Sequence, residues 1–127
     1  MKRQVAKPHI RNKSAKPTSE TRPLLGITMG DPAGIGPEVI AKALAGGKAR
    51  RLCRPLVIGS FPVMQHTVKS LKLKMNVIRV EGHEAVPTRP NHLAVLDPLD
   101  HPLGRFSRGV AALETGAASV LFIKKAV

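Results

Sequence analysis

The sequence predicts an α/β fold of three layers, α/β/α, around a mostly parallel sheet, and three observations carry that expectation. Short apolar runs with β-branched members alternate along the chain with segments of helical period. The first apolar run leads directly into a turn punctuated by glycine and proline, followed by a helix opening, as in a strand-to-helix unit of a parallel sheet. Hydrophobic residues make up 43% of the chain, enough for one core at this length. With three Phe, no Trp and no Tyr, that core is expected to be aliphatic.

In chain order the expected elements are strand 24–29, helix 37–45, strand 55–59, helix 61–71, strand 76–80, strand 92–96 and helix 109–126. Leu24, Leu25, Ile27 and Met29 read as a strand buried on both faces. Val39, Ile40, Ala43 and Leu44 recur at helical spacing with Lys42 off that face, and Gly46-Gly47 ends the helix. Met64, Val68 and Leu71 supply the apolar stripe of the next helix, with Lys69 and Lys72 expected in water.

The turn between the first strand and helix holds the candidate binding residues Gly30, Asp31, Gly34, Gly36 and Glu38. The glycines permit positive φ or close backbone approach, while Pro32 and Pro37 fix their own φ and restrict the residue before them. The loop is therefore stiff. Pro37 suits the first helical position, and Glu38 in the first turn complements the positive end of the helix dipole. Ligands of open α/β sheets bind at the carboxyl ends of the strands, where Asp31 and these glycines would lie. The bland reading is a purely structural turn. Two common nucleotide signatures are excluded. Glycines at i, i+2 and i+5 fail because Gly34 and Gly36 are followed by Val39 at the third position, and Gly47-Lys48 is followed by Ala49 where a phosphate-cradling loop needs Ser or Thr.

Residues 1–23 differ from the rest. They hold seven of the 21 Lys and Arg residues against the single Glu20, and Pro8, Pro17 and Pro23 interrupt any helical period, so a basic disordered tail is expected there and one domain over 24–127. The basic start lacks an apolar segment behind it, so it does not read as a secretory signal, and Ala117 to Ile123 is too short to span a bilayer. A cytoplasmic location is the default expectation. The lone Cys53 reads as a small buried side chain.

The net charge of +13 raises a rival of another class, a small nucleic-acid-binding protein. Lys2, Arg3, Arg11, Lys13 and Lys16, with Arg50, Arg51 and Arg54, could contact phosphates. The absence of aromatic platforms and of helix-turn-helix or zinc spacing disfavours it. His66, His83, His92 and His101 are scattered, and Asp97-Pro-Leu-Asp100-His101 reads as a proline-broken turn whose side chains cap backbone groups, so no metal site is assigned.

The segment from Thr28 to Glu38, Thr-Met-Gly-Asp-Pro-Ala-Gly-Ile-Gly-Pro-Glu, resembles the amino-terminal motif of the PdxA-like 4-hydroxythreonine-4-phosphate dehydrogenases, within the larger isocitrate/isopropylmalate dehydrogenase-like group. Pro55-Leu-Val-Ile-Gly-Ser60 is similar to that family's second strand. Gly116-Ala-Ala with Ile123 and Ala126-Val127 resembles its helix before the central catalytic segment, although Gly104 to Gly116 is longer than the family pattern. The resemblance implies an NAD- or NADP-dependent oxidoreductase in which a divalent metal polarises the oxygen, hydride leaves a secondary alcohol, and the β-keto acid formed loses carbon dioxide. It implies 4-phosphohydroxy-L-threonine as substrate, in pyridoxal phosphate synthesis, or alternatively threonate or erythronate 4-phosphate, and a homodimer. The family's metal-binding histidines and its substrate-contacting histidine and threonine lie downstream of a helix like 109–126. The expectation is thus a truncated chain, inactive alone, with no cofactor or metal of its own and catalytic residues unassigned.

Overall fold

The computed structural model describes residues 21–127, so all but the last three residues of the expected basic tail lie outside the described residues. Four strands, β1 (Leu24–Thr28), β2 (Arg54–Ile58), β3 (Asn76–Arg79) and β4 (His92–Leu96), form one sheet in the order β1-β2-β4-β3. Every pairing is parallel, with Ile27 opposite Val57, Leu56 opposite Ala94 and Val77 opposite Leu93. All four strands therefore end on the same side of the molecule. Helices α1 (Gly36–Ala45), α2 (Lys48–Leu52), α3 (Phe61–Ser70) and α4 (Leu113–Ala126) complete the fold, with a single 3₁₀ turn at His83–Ala85.

The two central strands explain the layering. Successive strand residues point to opposite faces, and Leu56, Val57 and Ile58 of β2 and Leu93, Ala94 and Val95 of β4 are all buried. Both faces of the sheet are thus covered. α4 packs on β1 and β2, and α3 packs on β3 and β4, with α1 mainly on α3. This is the expected α/β/α arrangement.

β1 departs from its expected burial on both faces. It is an edge strand: Leu25 is 50% exposed, and Leu24 and Ile27 are only partly buried. The reason is that α1 docks against α3 and leaves the Leu25 side of β1 open to solvent. The stripe of α1 is also rotated from the expected one. Pro37, Ile40, Ala41 and Leu44 are buried, spaced as one helical face, whereas Val39 is 55% exposed and Ala43 is in water. Pro37 stands at the second helical position, because the helix begins at Gly36.

The other elements follow local chemistry. α3 opens on Ser60, whose Oγ accepts the Val63 N–H at 3.4 Å, and it buries Val63, Met64, Thr67 and Val68 while Lys69 and Lys72 stay in water. Leu71 is half-buried against the core. α2 had no sequence signal, since Lys-Ala-Arg-Arg-Leu carries no apolar stripe and none of its residues is buried. The last helix starts at Leu113, not at residue 109. Gly109 has φ of +78°, and its N–H donates to Ala33 O at 2.7 Å, so residues 109–112 belong to a docked loop. Cys53 is buried with Sγ 3.3 Å from Ala49 O. The core is aliphatic apart from Phe122, which is fully buried at its centre.

Candidate functional site

The carboxyl ends of the strands bring the candidate residues to one rim. Met29 continues β1 by donating its N–H to Ile58 O at 2.9 Å, and Gly30, at φ of +74°, then turns the chain in a conformation that L side chains rarely adopt. Asp31 organises the rest of the turn. Its Oδ1 accepts the Ala33 N–H at 2.8 Å and its backbone carbonyl accepts the Gly34 N–H at 2.9 Å, which closes the turn over buried Pro32 and Ala33. The other carboxylate oxygen of Asp31 has no partner among the described residues.

Gly36 is required by close approach. A Cβ at that position would sit well under 3.0 Å from the Met29 carbonyl oxygen, a backbone atom that cannot step aside. Gly34 is less constrained than expected: it has no positive φ, and a Cβ there would stand 3.3 Å from Asp31 O. The turn is held by Gly30 and Gly36 at its two ends.

β4 and β3 end on the same side of the sheet, separated from β1 by β2. Asp97, after β4, accepts the Phe61 N–H at 2.8 Å and the Leu99 N–H at 3.0 Å, and stands 3.7 Å from the Arg79 guanidinium. As expected for a capping turn, its carboxylate serves the backbone. Among the described residues no group of three His, Cys, Asp or Glu side chains is placed to hold a metal ion.

Arg108 was not among the expected site residues. It reaches Thr67 Oγ1 on α3 with Nη2 at 2.9 Å and Glu38 Oε1 on α1 with Nη1 at 3.5 Å, while its neighbour Gly109 is bonded to Ala33 in the glycine turn. Partners 41 and 70 residues away leave no local sequence signal. Glu38 therefore pairs with a cation as well as facing the helix dipole. Arg108→Ala is expected to lower stability by about 1 kcal/mol, nearly all of it from the hydrogen bond to Thr67, because the ion pair is largely exposed. Thr67 keeps its own bond to Val63 O, which limits the loss. Urea unfolding measures this, and an unchanged midpoint would show that Arg108 does not pin the loop.

The turn is a stiff, hydrogen-bonded loop at the carboxyl end of β1, and among the described residues no group of three metal-ligating side chains converges on it. No family model matches the chain. It is 40% identical over 106 residues to a 4-hydroxythreonine-4-phosphate dehydrogenase of Desulfosudis oleivorans, covering 84% of this chain and 31% of that protein. It is 34% identical over 113 residues to a D-threonate 4-phosphate dehydrogenase of Cupriavidus necator, covering 86% of this chain and 32% of that protein. The crystal structure of a 4-hydroxythreonine-4-phosphate dehydrogenase from Burkholderia phymatum superposes with a TM-score of 0.69 at 32% identity, over 83% of this chain and 32% of that one. Over the third of their length that it spans, the chain is similar to PdxA-like 4-hydroxythreonine-4-phosphate dehydrogenases. It spans about a third of the length of the PdxA-like relatives it matches.

Among the described residues no helix is long and apolar enough to cross a membrane.

Proposed function

We propose that this chain is the amino-terminal scaffold and substrate-facing loop of an NAD- or NADP- and metal-dependent dehydrogenase. Its substrate is a four-carbon hydroxy acid 4-phosphate, either 4-phosphohydroxy-L-threonine or threonate 4-phosphate. The single observation that supports this reading best is the Gly30–Glu38 turn, preorganised at the carboxyl ends of parallel strands in a chain related to dehydrogenases of both names.

In this reading Asp31 accepts a hydrogen bond from a substrate hydroxyl or amine through its free oxygen, since its charge repels the phosphate. Gly36 holds the loop against Met29, and Arg108 locks the loop to α1 and α3. The described residues do not fit a metal site. Nor do they carry a dinucleotide fingerprint, so the nicotinamide is not assigned to this turn. A homodimer of the complete protein would cover the apolar outer residues of α4.

The experiment is a chimaera in which residues 24–127 replace the matching third of the Desulfosudis oleivorans enzyme. Reduced-cofactor absorbance is followed with each of the two substrates. Turnover with one of them is expected, and Asp31→Asn in that chimaera is expected to change KM or kcat while leaving the melting temperature intact. A folded chimaera that turns over neither substrate, or an Asp31→Asn form with unchanged kinetics, would overturn the assignment of the loop.

A further inference from the structure

The opposite end of the sheet carries a second concavity, unrelated to the substrate-facing rim. A cavity of about 780 Å³ lies at the amino-terminal ends of the strands, where the residues leading into β1, β2 and β4 meet α2 and the loop before β4. Its wall holds five arginines, Arg22, Arg50, Arg51, Arg54 and Arg89, and, among the described residues, no carboxylate. Pro55, Pro87 and Pro90 supply rigid apolar wall between them. A volume of this size falls in the range of small-molecule sites, which combine apolar walls with a few convergent polar groups.

Five guanidinium groups around one cavity repel one another unless something negative lies among them. Arg22 and Arg50 use some of their donors on the protein itself: Arg22 Nη1 donates to Arg50 O, and Arg50 Nε donates to Leu44 O at 3.3 Å. Arg50 Nη2 also lies 4.0 Å from Met75 Sδ. Arg22 Nε and Arg54 Nε are buried and have no hydrogen-bond partner among the described residues. A buried donor left unpaired is costly, and two of them in one wall point to a missing acceptor. Burial first, and the charge of Arg22 second, push the Arg50 guanidinium below its ordinary pKa, with Cys53 acting in the opposite direction. Arg51 and Arg89 stand exposed, free to swing over a bound group.

We propose that this cavity binds a small phosphate-bearing anion, with Arg22 and Arg54 donating from the buried floor and Arg51 and Arg89 closing on it from the rim. Planar guanidinium forks match pairs of phosphate oxygens, and a di- or triphosphate offers the several negative charges that five arginines require. The site is distinct from the Gly30–Glu38 turn, which lies at the other end of the strands.

Equilibrium dialysis of the full chain against radiolabelled inorganic pyrophosphate, in about 150 mM salt, tests the proposal and tolerates self-association. Saturable binding of one pyrophosphate per chain with Kd below about 1 mM is expected. The Arg51→Ala, Arg89→Ala double variant removes only exposed side chains and should weaken binding at least tenfold with unchanged circular dichroism. A Lys42→Ala, Arg105→Ala variant, equal in net charge and away from the cavity, should bind as the parent does. Absence of saturable binding, or equal weakening in both double variants, would overturn the site. Duplex DNA that displaces pyrophosphate at a lower concentration of phosphate groups than pyrophosphate itself would also overturn it, in favour of a nucleic-acid surface.

Discussion

Gly36→Val is expected to destabilise the domain by at least about 3 kcal/mol, enough to unfold much of the protein at physiological temperature. The magnitude comes from the atoms that the new side chain meets. Its Cβ alone would overlap the Met29 carbonyl oxygen, and that residue is tied to β2 by the Met29 N–H bond to Ile58 O at 2.9 Å. Relief would require parting α1 from the end of β1, which also carries Pro37, Ile40 and Leu44 out of the core. Two other glycines give a graded contrast. Gly30→Ala should lose about 1 kcal/mol, because φ of +74° is strained for any L side chain although no atom stands within 4 Å. Gly46→Ala should be neutral or slightly stabilising, since its φ of −74° suits alanine and its surroundings are open. Thermal or urea unfolding of the three variants measures the series. A Gly36→Val protein that melts with the parent would show that the close approach at Met29 is not required.

The isolated chain is expected to show no dehydrogenase turnover and to self-associate. Hydride transfer of the proposed kind needs a metal, an acid or base and a nicotinamide pocket, and the described residues bring no three metal-ligating side chains together. Association arises from the surface. Leu113, Val120, Leu121 and Ile123 of α4 are all exposed, Leu113 at 92%, and among the described residues β1 is an edge strand with no outer neighbour and with Leu25 beside that edge. Apolar residues concentrated on one helix next to a free strand edge invite a second copy or a covering segment. The check is to incubate the purified chain with divalent metal, NAD or NADP and either phosphorylated hydroxy acid, following reduced-cofactor absorbance beside light scattering. Turnover by a monodisperse sample would sink both halves and reveal a catalytic set elsewhere in the chain.

Sequence by itself determined the parts of this protein governed by local rules. Parallel α/β architecture, the positions of the strands and of α1 and α3, and the stiff turn at Gly30–Glu38 all arise from period, β-branching and the fixed φ of proline, because those preferences act within a few residues. The capping role of Asp97 was legible for the same reason: one of its two hydrogen bonds runs to Leu99, two residues away. Tertiary structure decided the rest. β1 reads as a strand buried on both faces, yet its exposure depends on its place at the end of the order β1-β2-β4-β3, which no local pattern encodes. The rotation of α1 that exposes Val39 depends on Gly36 docking against Met29, and the late start of α4 on Gly109 binding Ala33. Arg108 and the arginines of the second cavity become a clamp and a candidate anion site only through partners distant in sequence. Charge and polarity are properties of single residues, but convergence is a property of the packed chain, so composition could announce a basic protein without saying where its arginines would meet.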